Sequence, residues 1–357
     1  MKRLALLLGS LLVVTAAASA KEVVPAPVVV EEAPVQIVEK EVIVYRDKEE
    51  GFRPNGFVDL QYKYYGNTEN DKNLWNKNDN TSRTQLEGKI QMTEKQAFEY
   101  RVRDYNSLDE HIVESSTQTR LRYYYDHGNI EGTNIGRTSF LQYEKITGQE
   151  FEYQYRFDLT DYFFNNDFIK TTNFIVGPSY KYGWGSGNDS DYYHSFGLYL
   201  DWINQLPWGF STELEIDGLH YNIYGDNARV NDGANKLKDN DISAVVNLYL
   251  KHDANLYSNG AYSLDWHFEG GFDSYKWYNR DEVGYNPDIL GEAQNYTDGA
   301  YEAYIQPSIT LSYQATEFVT LYGTLGAEYR DWVKTANSEA QDWRWQPYAI
   351  VGFRTAF

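Results

Sequence analysis

Two sets of charged residues carry the clearest chemical signal in this 357-residue sequence. Arg83, Lys89, Arg101, Arg103, Arg120 and Arg122 are basic and lie at even spacing within three short stretches. Glu213, Glu215 and Asp217, followed by Asp265, Glu269 and Asp273, form a matching acidic set further along. On an extended chain, residues two apart share a face, so each set would line one side of its strands, with Glu87 and Glu99 interspersed among the basic residues. Rows of fixed charge select ions, and two facing rows of opposite sign create a transverse field that orders water and orients dipolar solutes. Charges that merely filled a wet interior would pair with neighbours. Segregation by strand favours the field instead.

Other chemistries are poorly supported. Ser263, Asp265 and His267 share one face of one stretch, but a catalytic triad needs groups that converge in space. His194 follows Asp189 and Asp191 in the glycine-rich segment 183–191, a pattern that a polar loop explains better than a hydrolase or a calcium site. The six histidines show no metal-ligand spacing, and cysteine is absent, which removes thiolate sites and a cysteine nucleophile. No phosphate loop or dinucleotide fingerprint is present. The expectation is a protein that is not an enzyme, with no catalytic residues, no metal and no cofactor. A net charge of −20 argues against a nucleic-acid partner.

The elements that must position these charges are strands. Mean hydropathy is −0.63, and the mature region has no apolar run of about 20 residues, which excludes a bundle of membrane helices. From residue 56 to the end, stretches of about ten residues alternate apolar and polar, separated by segments rich in Gly, Asn and Asp, the pattern of half-buried strands. Val58, Leu60, Tyr62 and Tyr64 alternate with Asp59, Gln61 and Lys63, and Phe151, Tyr153, Tyr155 and Phe157 alternate with Glu152, Gln154, Arg156 and Asp158. A helix would spread such charges around every face. The count is about 14 strands, with 16 as the alternative, which predicts an all-β transmembrane antiparallel barrel. In a ring of that size the basic second to fourth strands would face the acidic ninth to eleventh. Rings recur near the ends of the apolar faces: Tyr62, Tyr64, Tyr180, Tyr182, Trp202, Tyr262, Tyr301, Tyr313, Trp343 and Trp345. A soluble sandwich does not need that placement, whereas aromatic girdles at two membrane interfaces do. Phe353 and Phe357 share the apolar face of the last strand and read as an assembly signal.

Connections should alternate between two sides. Segments 93–96, 204–209 and 315–317 are short and are expected in the periplasm, while 66–81, 222–240 and 279–299 are long, polar and expected outside. Two places disagree, since 146–149 is tight where an outer loop belongs and 127–137 is long where a turn belongs.

The N-terminus differs from the rest. Lys2 and Arg3, the apolar stretch 4–14 and Ala18-Ser19-Ala20 fit a signal peptide over residues 1–20. Residues 21–55 form a Pro/Val/Glu-rich periplasmic tether. Within it Val35, Val38, Val42 and Tyr45 have the spacing of a helical seam that an oligomer could assemble as a short coiled coil; a flexible tether is the simpler reading.

The segment 21–56, the first strand FVDLQYKYYGNTEND (57–71), the stretch RTQLEGKIQMTE (83–94) and the terminal YAIVGFRTAF together resemble the fusobacterial major outer-membrane porin family. The resemblance implies a trimeric, voltage-gated, non-specific diffusion channel in the outer membrane, exposed to host or bacterial surface partners through its loops. Embedding in outer-membrane lipid and insertion by the barrel-assembly machinery are the further partners expected. The acidic lean of the loops at Glu69, Asp71, Asp79, Asp281, Glu282 and Asp288 predicts weak cation selectivity. A surface adhesin that uses a barrel as scaffold is the alternative.

Overall fold

A computed structural model describes residues 51–69, 80–108, 116–146, 148–185, 192–225, 230–231, 237–279, 300–331 and 343–357. The signal peptide, nearly all of the tether and most of the long outer loops predicted from sequence lie outside the described residues.

The first half of the chain forms β1 (Asn55–Tyr65), β2 (Thr81–Thr93), β3 (Gln96–Ser107), β4 (Ser116–Asn129), β5 (Gly136–Lys145), β6 (Gln149–Asp158), β7 (Lys170–Trp184) and β8 (Tyr192–Gln205). The second half adds β9 (Phe210–Tyr224), β12 (Asn240–Ser258), β13 (Tyr262–Tyr278), β14 (Ala300–Gln314), β15 (Val319–Asp331) and β16 (Trp343–Ala356). Between β9 and β12, β10 (Val230–Asn231) and β11 (Leu237–Lys238) pair as a small separate hairpin. The other 14 strands form one closed antiparallel barrel, with β1 paired to β16. Closure leaves no sheet edge, the condition for strands to cross a bilayer.

The alternation read from sequence becomes the barrel wall, and it is inside-out relative to a soluble protein. Leu325 is 71% exposed and Val351 60%, whereas Glu152 and Gln346 are each 2% exposed. Water outside such a barrel would oppose burial of the polar rather than the apolar face; a hydrocarbon exterior explains it. Strands of 10 to 19 residues are long enough to cross, since about 9–11 tilted residues suffice.

Both ends of the barrel meet at one rim, where Gly56 and Phe357 exchange two backbone hydrogen bonds of 3.0 and 3.1 Å. Most connections at this terminal rim are short, 159–169 being the longest, and two of them contain 3₁₀ turns, Thr160–Tyr162 and Pro207–Gly209. The far rim carries the connections 66–80, 225–239 and 279–299. The two places where connection length disagreed with side do not change the strand count. Segment 146–148 is a tight far-rim connection, and 130–135 is a longer terminal-rim one. Antiparallel parity, rather than loop length, sets the side.

Candidate pore lining

Register places the basic set on one continuous inner surface. Arg83 lies opposite Lys63, Lys89 opposite Glu99, Arg103 opposite Gln85, and Arg120 and Arg122 opposite Arg101 and Glu99. Lys63 and Gln85, on the same face, are buried. The acidic set falls on the inner faces of β9 and β13. Glu215 pairs in register with Asp201 and Asn247, and Glu269 with Lys251 and Gln306. β3 and β12 stand seven places apart in the ring of 14, so the two walls are opposite each other.

At Asp273 a β-bulge between Phe272 and Ser274 interrupts the pairing with β14; its side chain lies outside the described residues. The bulge begins beside Gly271, whose φ of +147° and close approach to the Leu248 carbonyl leave no room for a Cβ, which would sit 1.8 Å from that oxygen. A bulged residue is invisible to counting by twos.

The walls differ in how their charges are met. On the acidic side Lys251 Nζ reaches Glu213 at 2.6 Å and Glu269 at 3.5 Å. Lys181 Nζ reaches Asp217 at 3.2 Å and Glu150 and Glu152 at 3.9 Å each. Asn247 donates to Glu215 at 3.0 Å, Tyr304 to Glu269 at 2.5 Å, and Asn255 and Ser263 to Asp265 at 2.7 and 2.8 Å. On the basic side Lys89 pairs with Glu99 at 2.9 Å and Arg101 approaches Glu144 at 3.6 Å. Arg103 and Arg122 donate Nε to neutral amide oxygens of Gln85 and Gln142, both at 2.6 Å. The buried Nε atoms of Arg83 and Arg120 have no partner among the described residues.

Several lining residues went unassigned in the sequence. Lys181, Asp201 and Lys251 also line the lumen, on β7, β8 and β12, and the same alternation marks them. Arg156 lies between the two walls. Its guanidinium carbon is 3.9 Å from the Phe140 ring centroid and 4.4 Å from that of Tyr199, and its Nε donates to Gln154 at 2.6 Å. Stacking of this kind holds a planar cation in a fixed orientation.

The other candidate chemistries disperse. His267 Nδ1 bonds Asp253 at 2.6 Å, while Ser263 bonds Asp265. His194 is on the outer face, bonded through Nδ1 to the Tyr180 hydroxyl at 2.9 Å. Among the described residues no group of His, Asp or Glu is arranged to hold a metal.

The aromatic residues gather at both rims. Tyr62 and Tyr64 lie near the far rim, Tyr180 and Tyr182 pack about His194, and Trp343 and Trp345 lie 5.1 and 4.9 Å from the Tyr329 ring. At the terminal rim Trp202 packs against Phe163, Phe164 and Phe174, and Tyr262 stacks on Tyr313 at 4.8 Å. Tyr301 pairs with Tyr275 in backbone register, and its side chain lies outside the described residues. Phe163, Phe164 and the 87% exposed Trp208 sit in turns, where period-two reading has no purchase. Phe353 lies opposite Leu60 and Leu321 on the outer face.

No protein-family model matches the chain, and no curated protein matches it in sequence. Solved structures similar to it include the outer membrane channel DcaP of Acinetobacter baumannii, at 8% identity and a TM-score of 0.40, covering 85% of this chain and 96% of that one. A bacterial polysaccharide outer membrane secretin aligns at 11% identity and a TM-score of 0.37, covering 85% and 98%. The NanC porin aligns at 9% identity and a TM-score of 0.34, covering 84% and 98%. Likeness at this level carries no argument about substrate or mechanism.

Proposed function

We infer that the chain is an outer-membrane general diffusion channel that passes small hydrophilic solutes and ions. The observation that carries this is the closed 14-strand barrel with an apolar exterior and two opposed, partly solvated walls of charge within. A barrel used only as a scaffold has no need of segregated charge in its interior. The acidic balance of the chain, 52 Asp and Glu against 32 Lys and Arg, supports a weak preference for cations set at the loops and rims. The resemblance to fusobacterial porins supports a homotrimer, and the segment 21–50 is proposed to add to trimer stability.

Reconstitution in a planar lipid bilayer tests the reading. Large ohmic steps in multiples of three, with a small cation-favouring reversal potential across a salt gradient, are the expected result. A folded, heat-modifiable barrel that produces no steps overturns it. The long connections gathered at the far rim favour surface adhesion as a second role. Deleting 222–240 should then lower binding to other cells while conductance persists. Deleting 21–50 should leave a folded barrel and weaken only the trimer; unaltered trimers would remove the coiled-coil idea.

A further inference from the structure

The arginines of β2–β4 are arranged in a way that a wet lumen does not require. Register sets Arg101 directly against Arg120, and Arg83 directly against Lys63. Like charges placed opposite each other destabilise a ladder. Arg101 has Arg103 two places along its own strand and Arg120 directly across the ladder. The carboxylates in register with them are fewer than the five arginines and are shared: Glu99 lies opposite Arg122 but is engaged by Lys89 at 2.9 Å, Glu87 lies opposite Arg101 but accepts from Gln85 at 2.8 Å, and Glu144 lies opposite Arg120 and approaches Arg101 at 3.6 Å. Two buried guanidinium Nε atoms, on Arg83 and Arg120, have no partner among the described residues.

A cluster of this kind calls for a counter-anion from solution. Guanidinium groups bind carboxylate and phosphate through planar, paired hydrogen bonds, and one monovalent ion could neutralise only a fraction of the excess charge. The facing acidic wall repels an anion from the other side and so confines it to the arginine surface. We propose that the Arg83–Arg101–Arg103–Arg120–Arg122 surface is a binding station for small multivalent oxyanions, carboxylate or phosphate, in transit through the lumen. The station rests on the channel reading and refines it: monovalent cations are favoured at the rims, while multivalent anions are held at the arginine wall.

The test uses the full chain in a planar bilayer in potassium chloride, with citrate and inorganic pyrophosphate added in separate arms at matched ionic strength. Each anion should block the open current reversibly with a midpoint in the millimolar range, and the arm with the lower midpoint identifies the favoured oxyanion. The double variant Arg101→Gln/Arg120→Gln should raise that midpoint at least tenfold. Glu144→Gln, which frees Arg101 from its competing carboxylate, should lower it severalfold. Equal midpoints in wild type and both variants overturn the station, as does a current loss that ionic strength alone reproduces. Should the double variant fail to acquire heat-modifiability, Arg120→Gln and Glu144→Gln decide the question by moving the midpoint in opposite directions. Calorimetric titration of the same anions into the detergent-folded chain reads the station without current. Saturable heat that the variant loses supports the station even for a non-conducting barrel, and absence of heat in the wild type overturns it.

Discussion

The arginine wall on β2–β4 and the carboxylate wall on β9 and β13 are built by the same device, alternation on an inward-facing strand, yet they reach different electrostatic ends. Each of Glu213, Glu215, Asp217, Asp265 and Glu269 accepts from a lysine, an amide or a hydroxyl. Lysines from β7 and β12 reach across to stitch the acids together. The arginines share three carboxylates, Glu87, Glu99 and Glu144, with only Arg101 within 4 Å of one, and the Nε atoms of the other four donate to glutamines or have no partner among the described residues. The acidic wall is thus largely satisfied within the protein, and the basic wall is left open to mobile anions. Charge count alone does not distinguish the two; partner assignment does.

The largest test of that contrast is Lys181→Met. It leaves Glu150, Glu152 and Asp217 without their shared cation, whose side chain is only 12% exposed. Removing one partner of a buried ion network costs about 3–5 kcal/mol, so the urea midpoint of the folded barrel should fall sharply. Arg122→Met should cost far less, because it loses a bond to a neutral amide, Gln142, and a loose ring contact with Phe140 at 5.7 Å, leaves Glu99 still paired with Lys89, and relieves like-charge repulsion. Similar losses for the two would erase the difference between the walls.

Arg101→Glu/Arg103→Glu tests the open side directly. It would give the basic wall the internal pairing that the acidic wall already has, Glu at 101 lying against Arg120 in register. Even the effect of one unit charge near a solvated ion, about 1 kcal/mol, predicts an increase of at least about fivefold in cation over anion permeability, read from the reversal potential. An unchanged potential would place these residues away from the narrow part of the lumen.

Lys251→Gln should act more weakly in the same direction. It bares Glu213 and Glu269, both partly solvated, and a pair of this exposure is worth about 1 kcal/mol or less. Cation preference should rise by about twofold, with little change in the unfolding midpoint. A shift as large as that of the double arginine variant would mean that the acidic wall, rather than the arginine wall, dominates selectivity.

Much of this was legible along the chain. Asp59, Gln61 and Lys63 announce an inner face because a pleated strand has a period of two, and Leu321 and Leu325 announce an outer one. The strand number, the aromatic positions near strand ends and the opposition of the two charged walls follow from that period once the ring is closed. The bulge between Phe272 and Ser274 shows where the rule stops: one extra residue shifts everything beyond it by one place, and a bulge depends on the partner strand. Trp208 and Phe163 escaped for a related reason, since a turn has no period to read.

The amino-acid sequence by itself determined which side of each strand is polar, because the side-chain direction is local to the pleat. Only the tertiary structure decided which charge meets which. Lys251 finds Glu213 and Glu269 through the register of β12 with β9 and β13, and Lys181 reaches past β8 to Asp217 on β9. Arg101 meets Arg120 because β3 and β4 pair as they do. Pairing is a property of register, and register is set by the closing of the whole ring, where a slip in one strand would turn its apolar face from lipid to water.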